Sequence, residues 1–420
     1  MTRATGVALV FLLVAFPIAR IILQLYVPGG GTHLAMRLFT GVLELIIVVL
    51  TLADRTIAWP DFKSWPRWAT WLPGLWIAWS VPAIALSAIP TLAVVRQVEW
   101  LIHGAFGIAL WAYLTAHEDW RTRLIQCIVN GFLLYAVVLT YILFQVPDPE
   151  TYPWTAGILG FANVRHFGHF TTIALIAAYA PFLRVERGKN GLAVPFCILT
   201  VIYAYLVWSG GRGPFLGILC TFLVLLSLGQ LPNWRRLMLV SSLAFVLGTT
   251  ISIPFTPPDT SFGAFRFLVR STTIEDANAF SSGRAELWER SAGIIQQHPL
   301  FGIGPDQFRE TLGGSPTIFF HPHNGLLQAV LEWGLPGGIL FWGMLVAMIV
   351  AGYRRLKTQY DPETLIGLGL TLTLLFVSMV SGTLYFAMPL CALSIAFALM
   401  FSGHQPAFTV KPNPFHDAAR

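Results

Sequence analysis

Three short segments of this chain combine residue types that can do chemistry on phosphate and hydroxyl groups. Ser209-Gly-Gly-Arg-Gly213 sets Arg212 among small residues. There the backbone N–H of Gly211 and its neighbours can approach a ligand beside a full positive charge. Small residues also allow tight helix packing, which accounts for the glycines but not for the arginine. Ser282-Gly-Arg284 opens a stretch with helix-like spacing. A helix N-terminus presents unpaired N–H donors and a partial positive charge, so Ser282 and Arg284 there form a candidate phosphate site. In His321-Pro-His323-Asn324, His323 can act as a base near neutral pH, with Asn324 and His321 beside it to bind substrate. A histidine before an apolar run also serves as an interfacial residue. Two histidines raise the question of a metal, but Pro322 separates them and no Asp/Cys ligand set lies nearby, so no metal is expected. A looser candidate is Asn163-Val-Arg165-His166, with His169 one turn beyond His166. There is neither a P-loop nor a dinucleotide fingerprint. No nucleotide, cofactor or nucleic acid is expected.

The elements that must position these residues are membrane helices. Of the 420 residues 11% are charged and 55% hydrophobic, and the mean hydropathy is +0.67. Soluble domains carry about 25% charged residues. Runs long enough to cross a hydrocarbon core, about 20 residues of helix, recur throughout. About twelve spans are expected, near 4–27, 34–53, 70–89, 93–115, 122–146, 160–183, 191–208, 213–230, 236–254, 325–352, 362–381 and 384–402. The first is longer than a signal-peptide core and has no obvious cleavage site. Cys127, Cys197, Cys220 and Cys391 fall inside apolar runs and are expected as buried thiols. The chain is expected to be one transmembrane domain, 1–420, with a single large loop at 255–324 between spans nine and ten. Within that loop helices are expected from Ser282 to Gln297, capped by Ser281 or Ser282, and from Asp306 to about Leu312.

Charge placement orients the bundle. With the N-terminus inside, Arg55, Lys63, Arg67, Arg121, Arg123, Arg184, Arg187, Lys189, Arg235, Arg236, Arg354, Arg355 and Lys357 all fall in cytoplasmic connections. Both termini are then cytoplasmic. Every lysine lies on that side, whereas the outer side carries only arginines, at 96, 165, 212, 266, 270, 284, 290 and 309. Arginine presents a rigid donor fork that fits phosphate oxygens in pairs. Each alone suits a lipid headgroup; as a set they point to an anion site. Glu44, Glu99 and His103 lie inside spans, where ionisable groups are functional candidates. Arg96, one turn before Glu99, makes a structural ion pair an equal alternative.

The C-terminal half resembles the O-antigen ligase and polymerase superfamily of bacterial membrane glycosyltransferases. Its ligase branch has a motif of His, then Asn, Ser or Gln, nine residues, and Gly-x-x-Gly followed by a small or aromatic residue. Here His323-Asn324 precedes nine residues and then Gly334-Leu-Pro-Gly337-Gly338. Ser282-Gly-Arg284, Trp288, Pro299, Gly302 and Gly304 resemble the segment before that motif, and Ser209-Gly-Gly-Arg-Gly213 resembles the family's other arginine element. The resemblance implies an all-α, GT-C-like polytopic enzyme of the Gram-negative inner membrane. It implies transfer of polysaccharide from undecaprenyl pyrophosphate to a lipid A–core hydroxyl at the periplasmic face, with inversion and without metal or nucleotide. In that scheme Arg212 and Arg284 bind the pyrophosphate, Arg165 assists, and His323 is the base. Glu332 either orients neighbours or sits in an ion pair. Protein O-oligosaccharyltransferases and O-antigen polymerases share much of this pattern, and an anion transporter is the alternative without chemistry.

Overall fold

The computed structural model describes residues 2–26, 31–59, 67–148, 151–152, 158–161, 163–184, 191–257, 262–263, 266, 283–312 and 320–403. These residues form helices and connections, with no strand among them. Helix α1 (Thr2–Val10) continues through a π turn (Phe11–Ala15) into α2 (Phe16–Tyr26). Then follow α3 (Gly31–Ala53), α4 (Leu72–Ala85), α5 (Pro90–Ala116), α6 (Asp119–Gln145), and α7 (Val164–Ala178) with its short extension α8 (Ala180–Leu183). Next come α9 (Ala193–Trp208), α10 (Arg212–Ser227) and α11 (Trp234–Ser252). The large connection contains α12 (Arg284–Gln297) and α13 (Phe308–Thr311), and α14 (Gly325–Thr358), α15 (Pro362–Ser378) and α16 (Ala387–Phe401) close the chain.

The starts of these helices are written in the sequence. Asn163, Asn324 and Asp361 accept hydrogen bonds from first-turn backbone N–H groups of α7, α14 and α15. Such caps satisfy donors that have no partner within the helix. Helices α7, α15 and α16 are buried nearly all round and form the centre of the bundle. The periphery shows apolar side chains outward: Val137, Val194, Leu239 and Ile339 are among the exposed ones. Soluble monomers rarely expose so much contiguous apolar surface. Five helices are long and apolar enough to cross a membrane, at Arg3–Ile22, Ala35–Ala53, Asp119–Gln145, Trp234–Phe255 and Gly325–Thr358, and shorter apolar helices accompany them. The chain is a multi-pass membrane protein. Of the cysteines only Cys391 is buried; Cys197 lies on the exposed flank of α9, because an apolar run in a membrane protein need not face the protein interior.

One break in helical geometry matters for the site. Gly334, inside α14, has φ 69° and ψ 179°, and Pro336 follows two residues later. Several of the backbone groups freed there find partners. Ile303 N donates to Leu331 O and Leu335 N donates to Pro299 O, each at 2.8 Å. The Trp79 indole donates to Trp333 O at 3.0 Å. Irregular backbone at membrane depth survives only when re-satisfied in this way. A Cβ at Gly334 would lie 2.1 Å from Leu300 O, and one at Gly302 2.3 Å from Leu331 O. The two glycines let the loop and the kinked helix touch backbone to backbone. The Gly-x-x-Gly spacing is therefore a docking joint that fixes the loop against α14.

Candidate active site

Each candidate side chain is placed at the beginning of a helix. Arg165 is the second residue of α7, Arg212 the first of α10 and Arg284 the first of α12, while His323 and Asn324 immediately precede α14. Cations are favoured at helix C-termini and disfavoured at N-termini by a few tenths to about 1 kcal/mol each. Repeating that placement at three helices serves no helix, but it does concentrate positive potential for an anion.

The connection at 379–386 brings these starts together. Asn324 Nδ2 donates to Met379 O at 3.2 Å while its Oδ1 accepts from Leu326 N and Leu327 N. Its amide is thus committed to capping and anchoring. On α7, His169 Nε2 is 3.0 Å from Ser381 Oγ and 3.2 Å from Thr383 Oγ1. A Cβ on Gly213, in the first turn of α10, would meet Val380, and one on Gly168 of α7 would meet Pro214 of α10. Gly211 caps α10, and the Gly210 carbonyl accepts from Arg266 at 3.5 Å. Ser282, together with its proposed capping partner Ser281, lies outside the described residues. Gly283, at φ 79°, occupies the N-cap of α12 instead of a serine.

His323 is half-buried in the middle. Its φ of 53° is left-handed, a conformation costing a non-glycine residue about 1–3 kcal/mol and concentrated at functional sites. His323 N donates to His321 Nδ1 at 3.2 Å, and the two rings meet edge to face at 4.2 Å. His321 is buried against Tyr385 and Phe386, and only a glycine at 382 leaves it room, since a Cβ there would enter the ring. From the other side the Trp288 indole donates to Pro322 O at 3.0 Å. Trp288 is one turn from Arg284, so a single face of α12 clamps the turn and delivers the arginine. His321 thus positions His323 and has little surface left for substrate.

The electrostatics follow. Arg165 Nη1 lies 3.5 Å from His323 Nε2. A guanidinium can only donate, so Nε2 is the accepting nitrogen of a neutral ring. Burial first, then the charges of Arg165 and Arg284, push His323 down to about 3. The imidazole is unprotonated across the physiological range, with the charges of Arg165 and Arg284 bearing on it. Among the described residues no cluster of His, Cys, Asp or Glu has the makings of a metal site.

Behind this turn lies a buried ionic network. Arg37 pairs with Glu99 at 2.5 Å and with Asp306 at 3.1 Å, and Arg96 pairs with Glu99 at 2.6 Å. Tyr385 Oη donates to Asp306 at 2.5 Å, and Arg96 donates to Leu384 O. Arg96 and Glu99 are therefore structural. His103 lies 2.7 Å from Glu44 within the same layer. Asp306 adopts φ 59° to reach its partners, which delays the second loop helix to Phe308 and shortens it to one turn. Glu332 accepts from Gln328 at 2.9 Å and makes no ion pair among the described residues. The sequence reading passed over Arg20, an arginine inside the first apolar run; its charge at that depth was the available signal.

The O-Antigen ligase family model matches residues 196–342, from α9 through the kink of α14, a stretch that includes Arg212, Arg284 and His323. The Exopolysaccharide production protein ExoQ of Rhizobium meliloti (strain 1021) is 25% identical over 315 residues, covering 69% of this chain and 67% of that protein. Residues 196–342 are thus similar to the O-antigen ligase family, and two thirds of the chain are similar to a polysaccharide-production protein. The function of the chain is of the polysaccharide ligase or polymerase type.

Proposed function

We propose that the protein is a glycosyltransferase that moves O-antigen polysaccharide from undecaprenyl pyrophosphate to a sugar hydroxyl of lipid A–core. In this reading the chain spans the inner membrane about twelve times, with both termini in the cytoplasm and the His323 turn at the periplasmic face. The observation that carries the reading is His323 at the start of α14, with Arg165 Nη1 3.5 Å from its Nε2 and the charge of Arg284 also bearing on it. In the reaction the acceptor O–H gives its proton to His323, and its oxygen attacks the anomeric carbon. The bond from that carbon to the pyrophosphate oxygen breaks, with inversion, and the leaving group takes the electron pair. Arg284, Arg212 and Arg165 stabilise the charge that develops on it.

The depressed basicity of His323 fits this order of events. In the empty site two guanidiniums oppose its protonation. A bound pyrophosphate offsets them, so the imidazole gains basicity only once the donor is in place. Asn324, committed as a cap, sets the position of His323, and Gly211 at the start of α10 offers backbone to the phosphates.

A second reading is favoured by the relative, which is named for exopolysaccharide production: extension of a lipid-linked polysaccharide by the same chemistry. The acceptor separates the two. Purified protein is mixed with undecaprenyl-pyrophosphate-linked polysaccharide and rough lipopolysaccharide, with chelator and without nucleotide. High-mass lipopolysaccharide that disappears in His323→Ala supports the ligase. Longer lipid-linked chains with unmodified lipopolysaccharide replace it with the polymerase, and no product from competent substrates rejects both.

A further inference from the structure

Buried arginines in this protein fall into two kinds. Arg96, with no exposed surface, has Glu99 and a backbone carbonyl. Arg20, on α2 and 9% exposed, has neither. Its Nε lies 3.2 Å from Met36 Sδ and its Nη1 3.6 Å from Met388 Sδ. Its guanidinium stands 4.6 Å over the Phe161 ring. Thioether sulfur is a weak acceptor, and a face-on aromatic ring does not replace the hydration of a buried cation. The neutral polar groups nearby are engaged elsewhere. Thr40 donates to Met36 O, Tyr135 to Leu159 O, and Gln24 accepts from Gly160 N. No carboxylate among the described residues pairs with Arg20.

Arg20 borders two small cavities. A small cavity of about 40 Å³ lies between α2, α3, α7 and α16 and is lined by Arg20, Thr40, His166, His169, Phe386 and Met388. Arg20, Thr40 and Met388 also border a second, apolar cleft of about 60 Å³ that continues along Leu13, Phe16, Phe170 and Ile395. One charged group thus stands at the junction of a polar chamber and a hydrocarbon-lined groove. The Phe386 ring, which lines the chamber, packs on His321 at 5.3 Å, and His321 in turn packs on His323 at 4.2 Å.

We propose that this chamber binds the phosphate of a lipid, with Arg20 as its charge partner and the lipid's hydrocarbon chain in the cleft. A phosphate oxygen supplies the acceptor that the fold withholds, and the chain covers apolar surface that no side chain fills. Binding at Arg20 does not depend on the transfer reaction, and a protein without ligase activity keeps the site.

The test uses the full chain, delipidated in detergent, with undecaprenyl phosphate, phosphatidylglycerol and inorganic pyrophosphate as separate probes. Native mass spectrometry and thermal unfolding are read on wild type and Arg20→Met. Undecaprenyl phosphate is expected to bind one per protein and raise the melting temperature. Arg20→Met should weaken that binding by about tenfold or more, the loss of one charged hydrogen bond, while the ligand-free melting temperature holds or rises. Equal, Arg20-dependent binding of phosphatidylglycerol identifies a bilayer lipid as the source and upholds the lipid-phosphate site. Unchanged lipid binding in Arg20→Met overturns the assignment, as does a lowered ligand-free melting temperature with binding retained, which would make Arg20 structural. Stabilisation by pyrophosphate as large as by the lipid removes the role of the cleft. If Arg20→Met does not fold, Leu13→Trp, which fills the cleft and spares Arg20, decides: lost lipid binding supports the site and retained binding rejects it.

Discussion

On one side of the His321–Asn324 turn, Arg37 and Arg96 are held by Glu99, Asp306 and the Leu384 carbonyl. On the other, Arg165 and Arg284 bear on an imidazole, a group that gains nothing from a neighbouring cation. In the first region opposite charges cancel at distances near 2.5–3 Å, and the result ties α3 and α5 to the loop and to the segment before α16. In the second, like-charged groups and helix N-termini are gathered at a cost to the empty protein. The same residue type is scaffold where its charge is cancelled and a ligand-binding tool where it is aimed at open space. Substitutions in the two regions should therefore separate stability from activity.

The largest contrast is His323→Ala. Loss of a positioned base typically costs 10²–10⁴-fold, so transfer in the reconstituted assay should fall by at least about a hundredfold with unfolding in detergent little changed. Transfer within tenfold of wild type would remove His323 as the base. The mirror image is Glu99→Gln, which leaves Arg37 and Arg96 without their shared partner. Breaking a buried pair from one side costs about 3–5 kcal/mol, measurable as a lowered thermal midpoint. A midpoint unchanged from wild type would mean that Asp306 alone holds the network.

The joint between loop and helix comes next. Gly334→Ala puts a Cβ 2.1 Å from Leu300 O in a left-handed conformation, and should destabilise the protein by about 2 kcal/mol or more. It also loosens the docking of α12, so protease cleavage of the loop should speed up. Unaltered proteolysis would separate the glycines from loop docking. Arg284→Lys is smaller. It keeps the charge and loses the two-pronged fork, and transfer should drop about tenfold, the value of one charged hydrogen bond. Activity equal to wild type would show that Arg284 acts as a point charge only.

How much of this was legible in the sequence depends on the range of the interaction. The apolar runs, the loop helix at Arg284–Gln297 and the pairing of Arg96 with Glu99 are local, set by composition, capping and one helical turn, and they were read within a few residues. His323, Arg284 and Arg165 were also legible as candidates. Their convergence was not, because it depends on the 379–386 connection, which carries no charged residue and looks like a short turn. Asn324 was read for its chemistry, whereas its neighbours in space make it a cap. Gly382 and Trp288 act only through shape, and Arg20 was absorbed into a hydrophobic run because sequence does not show that its partners are thioethers.

The smallest effect sharpens the comparison furthest. His323 is held near 3, below the ordinary histidine value of about 6.5. As pH falls below about 6.5 the unfolded chain takes up a proton at this position and the folded chain does not until about 3. His323 therefore costs stability progressively over that window and nothing above it, by less than about 1.4 kcal/mol per pH unit because the ring is partly open to solvent. Arg165→Gln removes one of the opposing charges, raises the folded value and should flatten the slope of stability between pH 6.5 and 4, as should a bound pyrophosphate-bearing donor. Unfolding curves of wild type, His323→Ala and Arg165→Gln at pH 7, 6, 5 and 4 measure it. If Arg165→Gln and wild type share one slope while His323→Ala is flatter, burial alone depresses His323 and Arg165 serves only the substrate.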